Sequence, residues 1–204
     1  MGIMNYIEAN NKVTLKTLDI NRTPDIIKSV KGRLTEVYNM CKEHMNKDMS
    51  FLDLGTKDGL FFDVLVDEGF DRRKLIGIDC CNEVVDMCIE KGYLTFQEDI
   101  QDMSSVFKDG LFDFIFIIHT LEHVPNPVKV VSECERLLKP NGCVFVEVPI
   151  QSQIDDPELW GHFHPFTTKQ QVKDLFNNFD IMGEDWQKTK SKSPWYRVLF
   201  KLKG

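Results

Sequence analysis

Asp53-Leu54-Gly55-Thr56-Lys57-Asp58-Gly59 joins two short segments of different periodicity. Ser50 to Leu54 is apolar in the manner of a buried strand, and Leu60 to Glu68 carries apolar residues at helical spacing. Gly55 lets the backbone turn sharply and lets a ligand come close, and Gly59 lets the following helix pack near the strand. Open α/β sheets bind ligands beyond the carboxyl ends of their strands, where a loop of this form sits. A plain strand-to-helix turn would use the same glycines, so the neighbouring strand ends must carry the rest of the argument.

The pattern continues on both sides of the loop. Leu75 to Asp79, Leu94 to Gln97, Phe112 to Ile118 and Cys143 to Val148 read as strands. Helices are predicted from Glu83 to Lys91 and from Pro127 to Leu138, the second with Val128, Val131, Cys134, Leu137 and Leu138 turned inward. Near-continuous apolar strands between amphipathic helices predict an α/β fold, a doubly wound and mostly parallel sheet covered on both faces. Upstream, Thr23-Pro24-Asp25 opens a helix whose apolar residues run from Ile26 to Met45, with Thr23 as its cap. Residues 1–22 read as an irregular polar arm. Downstream, Thr167 caps a helix to about Asn177, with Gln170 as capping-box partner. Phe179 to Trp186 and Trp195 to Leu202 then read as an antiparallel hairpin at the sheet edge. Residues 23–204 form one domain: a cofactor-binding core at 49–149, a substrate-side loop at 150–166, and a C-terminal helix and hairpin at 167–204.

The chain has 204 residues, enough for one such domain and a sizeable core. Its first residues lack a secretory signal's apolar run, and no stretch reaches the length of a membrane span. None of the six cysteines forms a C-x-x-C pair, and most fall inside predicted helices or strands, where they act as small buried hydrophobes. A cytoplasmic protein is the expectation. The net charge of −7 disfavours a broad nucleic-acid surface. Lys188, Lys190, Lys192, Arg197, Lys201 and Lys203 nevertheless make a local basic stretch without an acid, which a solvated hairpin also explains.

Carboxylates follow the next two strands. Asp79, about twenty residues past the glycine loop, can accept from two ribose hydroxyls, with Cys80 beside it. Asp99 can accept from an exocyclic amine while Ile100 offers an apolar face to a flat base. Together these suit an adenosine. A dinucleotide fingerprint would need glycine at positions 57 and 60, where Lys57 and Leu60 stand, and no P-loop is present. A dehydrogenase is therefore disfavoured.

These residues resemble the class I S-adenosylmethionine-dependent methyltransferases, nearest the small single-domain, type 11-like members. Asp53 to Gly59 is similar to their D-x-G-x-G-x-G loop, with Lys57 in place of the middle glycine. Asp79 matches their ribose-binding acid and Asp99-Ile100 their adenine-side pair. His119 to Pro127 looks like their segment after the fourth strand, and Leu137 to Gly142 like their turn before the fifth. The resemblance covers about residues 49–150 and implies a Rossmann-like sheet of seven strands, the last antiparallel. It implies S-adenosylmethionine as cofactor, S-adenosylhomocysteine as product, and a site using Asp53, Gly55, Thr56, Lys57, Gly59, Asp79, Cys80, Asp99, Ile100 and His119, with the methionine end near Gly55 and His119.

The loop after the fifth predicted strand should overhang that site. Trp160, His162, Phe163, His164 and Phe166 crowd into it as a substrate-side wall, or as packing that holds the loop down. His123, His162 and His164 are the candidate proton acceptors. His119, Glu122, His123 and a loop histidine also resemble the metal set of small-RNA 3′-end ribose methyltransferases, although His119 stands where their first glutamate would be. The expectation is no metal and a small-molecule acceptor, namely a metabolite, a sugar or a lipid precursor. Two alternatives stand beside it: a metal-assisted RNA-end methyltransferase, and a cofactor-binding subunit without turnover.

Overall fold

The structure, a computed structural model, describes residues 3–20, 23–151, 161–187 and 194–204. Seven strands form one sheet: β1 (Phe51–Leu54), β2 (Leu75–Asp79), β3 (Leu94–Gln97), β4 (Phe112–Ile118), β5 (Leu138–Pro149), β6 (Phe179–Gln187) and β7 (Trp195–Leu202). Their order is β3-β2-β1-β4-β5-β7-β6. β1 to β5 run parallel, and β7 is antiparallel to both neighbours. The hairpin is thus entered out of order, with β7 inside and β6 at the edge. Strand order reverses between β1 and β4, which opens a crevice at their carboxyl ends.

The helices are α1 (Ile3–Ile20), α2 (Pro24–Cys41), α3 (Leu60–Asp67), α4 (Asn82–Glu90), α5 (Pro127–Leu137) and α6 (Lys169–Leu175). Alternate strand residues face opposite layers. Leu52, Leu54, Ile115 and Ile117 pack with Val130, Val131 and Cys134 of α5 on one face. Phe51, Phe114 and Phe116 pack with Leu34 and Val37 of α2 and with Phe61 and Leu65 of α3 on the other. Phe114 and Phe116 stack there at 4.6 Å between ring centroids. Five of the six cysteines are buried and all are free, as small hydrophobes would be.

Several expectations need correction. The stretch 1–22 is no irregular arm, because residues 3–20 form α1. Its inward side chains include Asn10 and Thr17, since they meet a cavity and not a core, so the apolar stripe that marks a helix is weak. Val128 is 58% exposed, and Val130 takes the inward place on α5. Thr23 stands at the N-cap without a side-chain bond. The cap of α6 is Thr168, whose hydroxyl accepts from the Gln171 N–H in a full capping box, one residue later than expected. The Leu138–Gly142 turn lies within β5, where the register shifts between Phe112 and Phe114.

Candidate active site

A single cavity of about 710 Å³ lies at the crevice, within the range of small-molecule sites. Loops after β1 to β5, parts of α1 and α2, and the start of β7 line it.

The β1 and β2 ends are built mainly by backbone. The N–H groups of Gly55 and Thr56 donate to the Ile78 carbonyl at 2.8 and 3.0 Å, tying the loop to β2. Gly55 has φ +81°, and a Cβ there would stand 2.2 Å from Thr120 Oγ1. Lys57 adopts φ +54°, the left-handed backbone that a glycine would take easily. Its ammonium donates to Thr17 Oγ1 at 3.0 Å, and burial pushes its pKa down. Asp79 accepts from the N–H groups of Lys57 and Cys81, each at 3.0 Å. Burial raises the Asp79 carboxyl despite these bonds. Burial, and then the nearby Asp79 charge, push Asp53 up to about 8; its Oδ1 has no hydrogen-bond partner among the described residues.

Thr56, Lys57, Asp79, Cys80 and Ile100 line the cavity with Asp53 and Gly55. Two expected residues do not. Asp99 accepts from the Tyr6 hydroxyl at 2.7 Å and from the Gln101 N–H at 2.9 Å, and its neighbour Glu98 faces the cavity instead. Gly59, at φ +73°, is a packing residue, because a Cβ there would meet Cys88 Sγ at 3.2 Å and the Tyr93 ring at 3.3 Å.

The β4 and β5 ends are built by charged side chains. His119, at φ +52°, lies between two buried carboxylates. Its Nδ1 is 3.3 Å from Glu122 Oε1 and its Nε2 is 3.1 Å from Glu147 Oε1. Burial alone would lower its pKa, but these partners carry it above the usual histidine value. Glu147 is fully buried and accepts from Arg33 of α2 and from Arg197 of β7. Burial opposes its charge, yet His119 and the two arginines hold its carboxyl down at about 2. Arg33 also lies over the Trp195 ring, 5.1 Å from its centroid.

His123 Nδ1 is 3.0 Å from the Gly161 carbonyl. A carbonyl only accepts, so Nδ1 carries a proton, and in the neutral ring Nε2 holds the lone pair. The His123 and His162 rings meet at 4.9 Å, and both line the cavity with His119. Glu122, His123 and His162 each offer a donor atom, all within 4.8 Å of one another. Among the described residues, neither carboxylate oxygen of Glu122 accepts a well-aligned hydrogen bond.

The rest of the substrate-side loop divides. Phe166 is fully buried, and the His164 ring packs against it, with burial lowering the His164 pKa. Phe163 packs edge-on against Tyr6. None of these three lines the cavity, so the packing explanation holds for them. Trp160 lies outside the described residues. Arg33, Glu147 and Trp195 were not anticipated as site residues. A lone acid inside the apolar run Val144 to Val148, and a lone cation inside Trp195 to Phe200, were the available signals, because a charge in a buried strand needs a partner. Arg197 is buried on Glu147 and is no part of a basic surface, and Lys188, Lys190 and Lys192 lie outside the described residues.

A sheet with this strand order and a carboxylate-edged crevice at its switch point is that of a class I S-adenosylmethionine-dependent methyltransferase. The profile of the methyltransferase-domain family matches residues 27–183, and the chain belongs to that family. Among curated proteins it is similar to the ubiquinone biosynthesis O-methyltransferase of Coxiella burnetii, 31% identical over 103 residues, which cover 48% of this chain and 43% of that one. The corresponding Colwellia psychrerythraea protein is 29% identical over 103 residues, covering 48% and 41%. The match thus spans less than half the length of these relatives. Among solved structures, a SAM-dependent methyltransferase from Archaeoglobus fulgidus shares the fold at a TM-score of 0.69 and 18% identity, covering 86% of this chain and 94% of that one. The N-methyltransferase NodS from Bradyrhizobium japonicum, in complex with S-adenosyl-L-homocysteine, does so at 0.69 and 16%, covering 94% and 99%. No described helix is long and apolar enough to cross a membrane.

Proposed function

We propose that this methyltransferase methylates a hydroxyl oxygen of a small-molecule acceptor, with His123 as proton acceptor. The observation that carries the reading is that one continuous cavity runs from Asp79 to His123 and His162. Asp79 would take the ribose hydroxyls, Ile100 the adenine face, and Gly55 and Thr56 the methionine backbone. Arg33, held by Glu147 and Trp195, would take the methionine carboxylate. The names of the curated relatives favour oxygen as the acceptor atom.

S-adenosylmethionine supplies a methyl group on a sulfonium, already a good leaving group. The chain's task is therefore alignment, exclusion of water and removal of one proton. The His123 Nε2 lone pair can take the hydroxyl proton as oxygen bonds to the methyl carbon. The carboxylate of Glu122, 4.0 Å from that nitrogen, then faces the imidazolium.

The test is transfer of labelled methyl from S-adenosylmethionine to a panel of small phenols and polyols. His123→Ala should lower kcat about a hundredfold or more, with S-adenosylhomocysteine affinity within about twofold of the parent. Methylation confined to amines, or full activity in the variant, refutes the reading.

The Glu122, His123 and His162 cluster favours a second reading, in which the same three side chains hold a divalent metal. Such an ion would lower the pKa of an acceptor hydroxyl. Titration with Co(II) separates the two. Visible absorption that is lost in Glu122→Gln supports the metal; no binding by the parent leaves His123 as the base. The RNA-end form of this reading is weakened, because Arg197 is buried.

A further inference from the structure

Lys57 holds a backbone that its own side chain disfavours. Its φ is +54°, which glycine adopts without cost and a long side chain does not. The side chain lines the cavity. Among the described residues, one of the three N–H donors of its ammonium has a partner. It donates to Thr17 Oγ1 at 3.0 Å, and the Thr17 hydroxyl donates in turn to the Thr14 carbonyl at 2.9 Å. No carboxylate among the described residues forms an ion pair with it. Asp58 and Asp79 act on its charge from farther away, and Asp79 is bound by the N–H groups of Lys57 and Cys81. Burial, then the Asp79 charge, favour the uncharged form of Asp53 on the same wall.

A second cation faces this space. Arg33 lines the cavity from α2, and after burial itself its charge lowers the Lys57 pKa. The carboxylate partner of Arg33, Glu147, is shared with Arg197 and His119. Two like charges in one cavity repel unless an anion lies between them. The contacts of α1 show which end of the cavity this is. Thr17 meets Lys57, and Asn10 Nδ2 donates to the His123 carbonyl at 2.9 Å. These two residues are seven positions apart on one helix, about 10 Å along its axis. Lys57 therefore stands at the Asp79 end, away from the proton acceptor.

We propose that Lys57 and Arg33 together bind the α-carboxylate of the cofactor's methionine end, one anion between two cations. The inference rests on the cofactor seat proposed above, to which it adds Lys57. The carboxylate would accept from the ammonium donors that Thr17 leaves over. These charge-assisted bonds would offset both the backbone strain at Lys57 and the repulsion between the two cations.

Calorimetry with S-adenosylhomocysteine and with its decarboxylated analogue, which keeps the adenosine, the thioether and the amine, tests it. Lys57→Met keeps a long side chain and removes the charge. It should weaken S-adenosylhomocysteine binding about tenfold or more, while the decarboxylated analogue binds as tightly as before or more tightly. Lys57→Gly takes φ +54° without strain. It should show the same contrast with a Tm no lower than the parent's, and it decides the matter should Lys57→Met fail to fold. Parental S-adenosylhomocysteine affinity in the variants overturns the proposal, and is the result expected if Lys57 serves an anionic acceptor. Equal losses for the two ligands overturn it as well, because Lys57 would then act on the loop and not on the carboxylate. Absence of S-adenosylhomocysteine binding by the parent would defeat the cofactor seat, whereas parental binding without the contrast in the variants would defeat only the role of Lys57.

Discussion

The two halves of the cavity are made in different ways. Around β1 and β2 the wall is backbone turns and carboxylates at the carboxyl ends of the strands themselves, Asp53 in β1 and Asp79 as the last residue of β2. Around β4 and β5 the wall is a charged network whose members, Arg33, His119, Glu147 and Arg197, come from α2, the loop after β4, β5 and β7. The first half can be assembled by any chain that forms the strands. The second exists only once distant segments meet. The proposed cofactor seat would draw on both: its ribose and adenine contacts come from the locally built half, its carboxylate contact from Arg33 in the half built by tertiary contact.

The largest expected effect is in the charged half. Glu147→Ala removes the buried carboxylate on Arg197, leaving it only the more exposed Glu36 and Asp185 among the described residues, and should cost about 3–5 kcal/mol in urea unfolding. A loss below about 1 kcal/mol would mean that the network is not what holds β5 to β7. The same carboxylate sets an acid limb. Its folded pKa of about 2 lies below its ordinary value of 4.5, so its contribution is complete above that value. Stability should therefore fall by about 3 kcal/mol as pH drops from 4.5 through 2, and this limb should be absent in the Glu147→Ala variant.

In the local half, Asp79→Ala should weaken S-adenosylhomocysteine binding about a hundredfold, or about 3 kcal/mol, by removing a doubly engaged charged acceptor. Calorimetry on both proteins checks it, and near-parental affinity would move the ribose elsewhere. Gly55→Ala should cost about 2 kcal/mol, because φ is +81° and the new Cβ meets Thr120. Thermal unfolding should show the loss, with affinity reduced in step. Thr168→Ala removes the capping box of α6, away from both halves, and should cost about 1 kcal/mol with no change in ligand affinity.

The difference between the halves also explains what was legible. The strand bounds of β2, β3 and β4 match the hydrophobic pattern; β2 and β4 are largely buried runs, whereas the edge strand β3 buries only Thr95. The glycine loop and Asp79 were legible because turn and acid lie next to the strand that positions them. Asp99 was read toward the cavity, but Tyr6 of α1 takes its carboxylate, and nothing near Asp99 in the chain announces Tyr6. α1 itself was misread because a helix over a cavity need not carry a full apolar stripe.

By itself the sequence determined the α/β class and the parallel core, since these follow from periodicity within single segments. Only the tertiary structure decided that β7 enters between β5 and β6, that Glu147 is shared by Arg33 and Arg197, and that Glu122, His123 and His162 meet. The physical reason is range. Backbone preference and burial act within a few residues, whereas a buried charge is satisfied by whichever partner the folded chain delivers, and for Glu147 those partners lie 114 and 50 residues away.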